Sequence, residues 1–392
     1  MNTKLFNPEV QAFINENLTS NLSTLILKGS PFSEINIQEL AQQIEGLQKA
    51  KKKLPIWFQT ENIFFPKKIN LEQTSSEATA FYKKEIISGD SIIDLTGGFG
   101  IDCTYFSKVF KEVHHCEMNE ELSDIVHYNC KIFNIQNIKT HKGDSIETLR
   151  QLNKKFDWIY IDPSRRNDIK GKVFLLNDCL PNVPENLDSL FKYSNQILIK
   201  NSPILDITST INELNFVKEI HIVALHNEVK ELLFILENNY TGAIEINTTN
   251  ILKKRKQVFN FEYVNLQRAI YTLPQKFLYE PNAAIMKSGG FQEIAAQFNI
   301  GKIHQHTHLY TSNKLRADFP GRVFKIDNIQ NYDKKKIAKL LPDKKANITI
   351  RNFPETVAQI REKTKIKDGG NCYLFFTTDI ENKKIVLVCS KI

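Results

Sequence analysis

Hydrophobic and polar residues alternate with two different periods in the middle of the chain. Short apolar runs bounded by polar or glycine-containing segments are typical of buried strands, and between them apolar residues recur at helical spacing. The predicted strands of this region are 92–95, 113–117, 138–142, 158–162 and 196–200. Strands that alternate with helices predict a parallel sheet with helices on both faces, the doubly wound α/β class.

The last two apolar runs of this region, 219–225 and 231–236, are only a few residues apart. A connection that short joins antiparallel strands, so the mostly parallel sheet is predicted to end in a hairpin. Before residue 70 apolar residues at helical spacing predict a helical region, in which the aromatic residues near 57 and 64 are expected to pack against the next domain. After residue 240 strand-like runs mix with short helices, and 304–308 reads as part of an exposed strand. We therefore divide the chain into 1–70, 71–240, 241–318 and 319–392.

Composition narrows the class of protein. The 392 residues are 41% hydrophobic, and no apolar run reaches the roughly 18 residues that a membrane span needs. The first residues lack the apolar core of a signal peptide, so we expect a soluble cytoplasmic protein. Six cysteines are scattered without a Cys-x-x-Cys pair, which favours reduced thiols over a zinc or redox site.

Charge is unevenly distributed along the chain. Residues 241–392 contain 26 Lys and Arg against 13 Asp and Glu, whereas residues 1–240 contain 26 against 31. A basic C-terminal part attached to a less basic body is typical of a protein that binds a polyanion, and RNA is the expected partner. The alternative is a lysine-rich surface with no role beyond solvation.

A glycine-rich turn follows the first strand. Asp94 ends the strand, and Thr96, Gly97, Gly98 and Gly100 lead into the next helix. Glycines let a ligand approach the backbone, and the helix that follows offers free N–H groups.

Acidic residues end or follow each of the next predicted strands, where open α/β sheets bind their ligands. They are Glu117, Asp144 and Asp162. These positions suit a ligand made of an adenosine attached to an amino acid. Glu117 could accept hydrogen bonds from both ribose hydroxyls and Asp144 from the adenine amino group, while the glycines admit the amino-acid portion of the ligand. Taken singly, Glu117 and Asp144 could equally be helix N-caps.

With these motifs the chain resembles the class I S-adenosylmethionine-dependent methyltransferases. Asp94-x-Thr96-Gly97-Gly98-Phe99-Gly100 matches the first motif of that superfamily, and Asp162-Pro163-Ser164-Arg165-Arg166 occupies the position of its fourth. The resemblance implies a seven-stranded Rossmann-like sheet and S-adenosylmethionine as cofactor. A dinucleotide-dependent dehydrogenase is the rival for such a turn, but Cys103 stands where its third glycine would fall.

More narrowly, the chain is similar to bacterial methyltransferases that carry a ferredoxin-like insert and a C-terminal THUMP-like domain. That resemblance implies a ferredoxin-like 241–318 and a THUMP-like 319–392, and adds Ser76, Glu77 and Ser145 to the cofactor-binding candidates. The substrate does not follow from it. The matching segments are 72–77, 200–203, 229–233, 280–287, 319–322 and 351–354.

The fourth motif bears on the reaction. In amino-methylating relatives an Asn/Asp-Pro-Pro-aromatic tetrad accepts hydrogen bonds from the target amine; here Asp162 and Pro163 fit, but Ser164 and Arg165 depart from it. Asp-Pro-x-Arg is also similar to the uracil carbon-5 methyltransferases, which need a cysteine nucleophile near the fifth strand, and 200–203 contains none. We therefore expect direct methyl transfer to a nitrogen.

In that reaction Asp162 would orient the amine, and Arg165 and Arg166 would pair with a phosphate or stack on the base. An internal salt bridge is the other use of the two arginines.

The predicted function is methylation of a base nitrogen in structured RNA, such as tRNA or rRNA. A methyltransferase acting on a protein or small molecule, and a non-catalytic RNA-binding protein that retains the fold, are the alternatives. No metal is expected, because His304, His306 and His308 have no acid or cysteine at ligand spacing.

Overall fold

The computed structural model describes residues 1–165, 175–264, 267–333, 337, 341 and 343–392. They form two compact units, the first comprising 1–218 with 231–242 and the second 219–230 with 243–392. No helix in these described ranges is long and apolar enough to cross a membrane.

The first unit begins with helices and continues as alternating strands and helices. Its helices are α1 (Pro8–Glu16), α2 (Leu22–Lys28), α3 (Ile37–Lys53), α4 (Pro55–Gln59), α5 (Lys68–Gln73), α6 (Glu77–Ile86), α7 (Ile101–Phe106), α8 (Glu120–Ile132), α9 (Ser145–Leu152), α10 (Val183–Leu190) and α11 (Ile207–Glu213). The strands up to the end of this region are β1 (Gly89–Asp94), β2 (Phe110–Glu117), β3 (Ile138–Lys142), β4 (Trp158–Ile161), β5 (Ser164–Arg165), β6 (Cys179–Leu180), β7 (Gln196–Asn201), β8 (Val217–Leu225) and β9 (Glu228–Glu237).

The strands of the first unit lie in the order β9-β7-β4-β1-β2-β3. β7, β4, β1, β2 and β3 are parallel, and β9 runs antiparallel to β7. His226 and Asn227, between β8 and β9, both have positive φ, as a two-residue type I′ hairpin turn requires. The predicted doubly wound sheet with a reversed end is confirmed.

The N-terminal helices pack against α7 and α8 of the same unit. Trp57 contacts Tyr105 and Phe133, with ring centroids 6.5 and 4.9 Å apart, and Phe65 contacts Phe99 of the glycine-rich turn at 6.3 Å. Aromatic pairs at these separations add to the free energy gained by burying the rings. The expected packing of the aromatic residues is therefore confirmed.

The second unit contains a seven-stranded sheet in the order β13-β14-β12-β15-β18-β17-β16. The second unit also contains β10, which pairs with β8 in parallel orientation, and β11, which pairs with β10 in antiparallel orientation. Residues on both sides of the predicted boundary at 318 contribute to the seven-stranded sheet. The elements are β10 (Glu245–Ile251), β11 (Lys256–Glu262), β12 (Phe277–Pro281), α12 (Ala283–Ser288), α13 (Glu293–Phe298), β13 (Gly301–His304), β14 (Thr307–Ser312), β15 (Gly321–Asn331), β16 (Asn347–Arg351), α14 (Val357–Thr364), β17 (Cys372–Thr378) and β18 (Lys384–Lys391).

This sheet curls until β14 lies beside β17 and the end of β16. The Thr307 hydroxyl donates to the Thr378 carbonyl over 3.0 Å, and the Asn352 amide donates to the Thr307 hydroxyl over 3.3 Å. Curling buries one face of the sheet in its own concavity, where the core residues are Leu278, Ile303, Leu309, Phe324, Phe375, Ile385, Leu387 and Cys389.

The curl also explains why the expectation of an exposed strand at 304–308 is wrong. His304 ends β13, His306 lies in the turn, and His308 belongs to β14. His304 is buried and lies within hydrogen-bonding distance of Asn352 and Asn382, whereas His308 stacks on Phe291. Among the described residues, no group of three or more His, Cys, Asp and Glu side chains could hold a metal ion.

Candidate functional site

The glycine-rich turn joins β1 to α7 and packs directly on β2. Gly97 donates its N–H to the Cys116 carbonyl over 2.8 Å, and a Cβ at Gly97 would lie 2.3 Å from the His115 ring. Gly98 has φ +53°, the left-handed region that favours glycine. Glycine therefore avoids a clash with His115 at position 97 and a strained backbone at position 98, and the backbone at both positions carries no Cβ.

Asp94 holds the turn from below. Its carboxylate accepts from the Thr96 N–H over 2.8 Å and from the Cys103 thiol over 3.3 Å, and it is buried. Burial, with a smaller contribution from the charge of Asp102, raises the pKa of Asp94 to about 7. The Asp94 carboxylate therefore accepts hydrogen bonds from the turn and from the helix that follows it.

Glu117 ends β2 next to the turn. One carboxylate oxygen accepts from the Gly98 N–H over 2.9 Å and the other from the Asn119 N–H over 2.7 Å. An open glycine backbone beside a partly exposed carboxylate at the next strand end fits a nucleoside that carries an amino-acid portion. The glycine-rich turn and Glu117 therefore border the same end of the sheet.

The other predicted cofactor-binding residues lie at helix starts. Asp144 caps α9 by accepting from the Glu147 N–H over 2.8 Å, as the N-cap alternative anticipates, and Ser145 is the first residue of that helix. Ser76 caps α6 in the same way.

Glu77 contacts neighbouring helices of the first unit. Its carboxylate accepts from the Ile56 N–H over 2.5 Å and from the Tyr105 hydroxyl over 3.4 Å. Burial raises the pKa of Glu77, against the effect of these hydrogen bonds.

Asp162 follows β4 and faces the glycine-rich turn. Its N–H donates to the Thr96 hydroxyl over 2.6 Å, and its Oδ2 forms an ion pair with Lys200 of β7. Pro163 follows directly, and Ser164 and Arg165 form β5, which pairs with β6. The side chain of Arg165 and the whole of Arg166 lie outside the described residues. The structure therefore brings the first and fourth motifs together through Thr96.

Models of three protein families match the chain. Residues 89–265 match the RNA cap guanine-N2 methyltransferase model, residues 277–320 a ferredoxin-like domain, and residues 321–391 a THUMP domain-like model. A crystal structure from Porphyromonas gingivalis W83, named as a candidate methyltransferase, has a TM-score of 0.88 and 29% identity; the match covers 98% of this chain and 97% of that one. Together these matches identify the chain as an S-adenosylmethionine-dependent methyltransferase with a ferredoxin-like and a THUMP-like domain.

Other structural matches to this methyltransferase are partial. A candidate RNA methyltransferase from Pyrococcus horikoshii has a TM-score of 0.34 and 15% identity, over 48% of this chain and 98% of that one. The tRNA m1G37 methyltransferase of M. jannaschii has a TM-score of 0.30 and 14% identity, over 43% and 51%. No curated protein matches the methyltransferase in sequence.

A buried charge network lies under the site of this methyltransferase. Lys83 of α6 is fully buried and donates to both carboxylate oxygens of Glu231 over 2.8 and 3.0 Å, and its Nζ lies 3.2 Å from Asp102. Ser75 and Tyr160 donate to the other oxygen of Asp102 over 2.8 and 2.9 Å. Burial raises the pKa of Glu231, and the positive charges of Lys83 and Lys200 oppose that rise.

Sequence reasoning did not assign a role to most of this network. Lys83 and Asp102 lie in none of the segments that carry the family resemblance, whereas Lys200 and Glu231 lie in 200–203 and 229–233 without a role assigned to them. The available signal was the position of Lys200 and Glu231 at the edges of apolar runs, since a charged residue beside a buried strand needs a partner. The partners come from other elements, which the sequence pattern does not specify.

Proposed function

We propose that this methyltransferase transfers a methyl group from S-adenosylmethionine to a base nitrogen of structured RNA. The observation that carries the proposal is Asp162, whose Oδ2 is paired with Lys200 while its Oδ1 has no hydrogen-bond partner in the described part of the chain. A fixed carboxylate with one free oxygen suits the N–H of an amine.

Bound S-adenosylmethionine would supply an electrophilic methyl group on a positively charged sulfur. In this proposal the backbone of Gly97, Gly98 and Gly100 admits the amino-acid portion, Glu117 binds the ribose, and Asp144 and Ser145 border the adenine. Ser76 and Glu77 lie at the start of α6, and Glu77 contacts Tyr105 of α7, the helix that follows the glycine-rich turn. Asp94 and Thr96 keep the turn in place.

The residues of the fourth motif would act on the substrate. Asp162 Oδ1 accepts a hydrogen bond from the target amine and so directs the nitrogen lone pair toward the methyl group. The new N–C bond would form as the bond between the methyl carbon and the sulfonium sulfur breaks, with that electron pair remaining on sulfur as the neutral thioether. The carboxylate would stabilise the cationic nitrogen until its proton leaves to solvent. Pro163 limits the backbone freedom of Asp162, and Arg165 and Arg166 are proposed to contact the RNA phosphate or base.

RNA is supported as the substrate class by the matched model of an RNA methyltransferase, by the THUMP-like match and by the basic C-terminal part. The test is transfer of labelled methyl groups to deproteinised tRNA and rRNA, with Asp162→Ala as the variant. We expect transfer by the wild type and at least a hundredfold loss in the variant. Transfer only to protein or small molecules would contradict the RNA substrate, and an Asp162→Ala variant of full activity would contradict the catalytic role.

Mapping the methyl groups missing from the RNA of a deletion strain would then identify the base. A single missing modification on a base nitrogen is the expected result. Loss of a methyl group on carbon or ribose would contradict the proposed chemistry.

A further inference from the structure

Three segments that the family resemblance rests on meet around one buried carboxylate of the second unit. Glu280 of β12 accepts from the Nε of Arg322 over 2.6 Å and from an Nη of Arg351 over 2.7 Å. Arg322 belongs to β15 and Arg351 ends β16. We call these three residues the Glu280 cluster. Segments 280–287, 319–322 and 351–354, far apart in sequence, thus share one ion network.

The backbone holds the cluster tightly. Asn282 donates its N–H to the Pro320 carbonyl over 3.1 Å, and a Cβ at Gly321 would lie only 2.0 Å from the Glu280 carbonyl oxygen. The guanidinium of Arg322 lies against the rings of Phe324 and Phe375, at 5.5 and 5.9 Å from their centroids. Arg322 is therefore fixed in orientation as well as in place.

The Glu280 cluster carries more positive charge than its structural role needs. One arginine would neutralise Glu280, and the second leaves a net positive charge. The Glu280 side chain is 4% exposed, whereas those of Arg322 and Arg351 are 42% and 37% exposed. Both arginine side chains are therefore partly exposed, and each guanidinium has more donors than its bond to Glu280 uses.

A run of four exposed cations adjoins the Glu280 cluster. Lys253, Lys254 and Arg255 lie between β10 and β11, and Lys256 is the first residue of β11; we call these four residues the basic turn. The next residue, Gln257, donates its side-chain amide to the Gly321 carbonyl over 2.9 Å. Gly321 precedes Arg322, so this hydrogen bond joins the strand that follows the basic turn to the backbone beside the Glu280 cluster.

We propose that the basic turn and the Glu280 cluster bind the phosphate backbone of structured RNA, with Glu280 positioning the two arginines. Guanidinium forks match phosphate oxygens in pairs, and several cations along one surface suit a polyanion rather than a single anion. This inference rests on the proposed function, because it names the surface that would hold the RNA substrate.

The test measures binding of deproteinised tRNA to the full chain by fluorescence anisotropy over a series of salt concentrations. Lys253→Gln/Lys254→Gln removes two exposed charges without touching the Glu280 cluster, and Arg322→Lys keeps the charge but removes the fork. We expect the first variant to reduce the slope of log affinity against log salt by about 2 and the second to raise Kd about tenfold. The matched control is Lys325→Gln, three residues along β15 on the opposite face and 55% exposed, which should leave binding unchanged.

The outcomes separate this inference from the proposed function. If both variants bind tRNA with the slope and Kd of the wild type, the proposed RNA-binding surface is wrong, whereas the proposed function is unaffected. Wild-type protein that neither binds nor methylates RNA would overturn both. Competition by poly-L-glutamate as effective as that by tRNA, at equal charge, would indicate an acidic protein partner and also overturn the RNA assignment. The Lys253→Gln/Lys254→Gln variant still tests the proposed RNA-binding surface if Arg322→Lys fails to fold, because the basic turn is exposed and its substitution is not expected to affect folding.

Discussion

Asp162 and Lys200 meet because their strands are neighbours in the sheet. β4 and β7 are parallel with Ile161 opposite Ile199, so the next residue of each strand lies side by side. Burial alone would lower the pKa of Lys200, but the negative charges of Asp162, Glu231 and Asp102 outweigh it and raise the pKa. Lys200 therefore stays charged at neutral pH and holds one oxygen of Asp162.

Loss of this partner is expected to slow methyl transfer. Lys200→Met should lower kcat by roughly 10- to 100-fold with little change in KM for S-adenosylmethionine, because it misorients Asp162 rather than the cofactor. Lys200→Arg should recover much of the activity, since it restores the charge. Steady-state kinetics on the identified RNA would measure this, with exposed Lys192→Met as the control. Equal kcat in Lys200→Met and the wild type would contradict the positioning role.

His308 gives the second unit a dependence on pH. Burial, with the nearby charges of Lys302 and Arg351, lowers the pKa of His308 to about 4, below the value of about 6.5 in an unfolded chain. Between these two values the unfolded state binds more protons, so the histidine's contribution to stability falls as the pH drops from 6.5 to 4.

Hydrogen exchange of the β14 amides measures this effect. We expect exchange at pH 5, corrected for the intrinsic rate, to be faster than at pH 7 in the wild type, with a smaller difference in His308→Phe, which keeps the stack on Phe291. Exposed His127→Gln, in the first unit, should behave as the wild type. An unchanged pH difference in His308→Phe would show that other groups cause it.

At the scale of elements, the turn between β1 and α7 depends on two glycines for different reasons. Gly97 lacks space, because its Cβ would meet the His115 ring. Gly98 has space but adopts φ +53°, which costs a residue with a side chain on the order of 1 kcal/mol. The two positions therefore separate crowding from backbone strain.

Gly97→Ala should be the more damaging of the two substitutions. We expect it to lower the free energy of unfolding by roughly 1–3 kcal/mol, as overpacking does, and to weaken S-adenosylmethionine binding because the turn must shift. Gly98→Ala should cost about 1 kcal/mol. Urea unfolding and calorimetry with the cofactor provide the measurements. Equal losses in the two variants would argue against crowding by His115.

At the scale of the whole molecule, Lys83 and Glu231 connect distant parts of the first unit. They are 148 residues apart, on α6 and β9, and both are buried. Removing one member of a buried pair leaves an unpaired charge, which costs far more than the pair contributes. The pair therefore ties the helix that precedes the catalytic sheet to the last strand of that unit.

Single and double variants test this connection. Lys83→Met should lower the free energy of unfolding by about 3–5 kcal/mol, and Lys83→Met/Glu231→Gln should lose less, because the unpaired carboxylate is gone. Both tryptophans, Trp57 and Trp158, lie in the first unit, so their fluorescence follows its unfolding in urea. A double variant less stable than Lys83→Met would show that the two residues act independently.

Local features of the sequence were sufficient for the order of elements and for the glycine-rich turn. Helix α9 begins directly after Asp144, which caps it from within the same segment, as the N-cap alternative predicts. The alternation of strands and helices predicts the parallel sheet. The acidic residues at the strand ends indicate the end of the sheet at which a ligand is expected to bind. Each of these depends on neighbours in sequence, so periodicity and capping are enough to find them.

Only the tertiary structure decided which side chains meet. The pairing of Lys200 with Asp162 depends on strand order, that of Lys83 with Glu231 on the docking of α6, and the Glu280 cluster on the curl of the second sheet. The same curl buries His304, which its polar surroundings in sequence did not suggest. These contacts join residues far apart in the chain, and the burial that makes their charges matter is a property of the packed molecule.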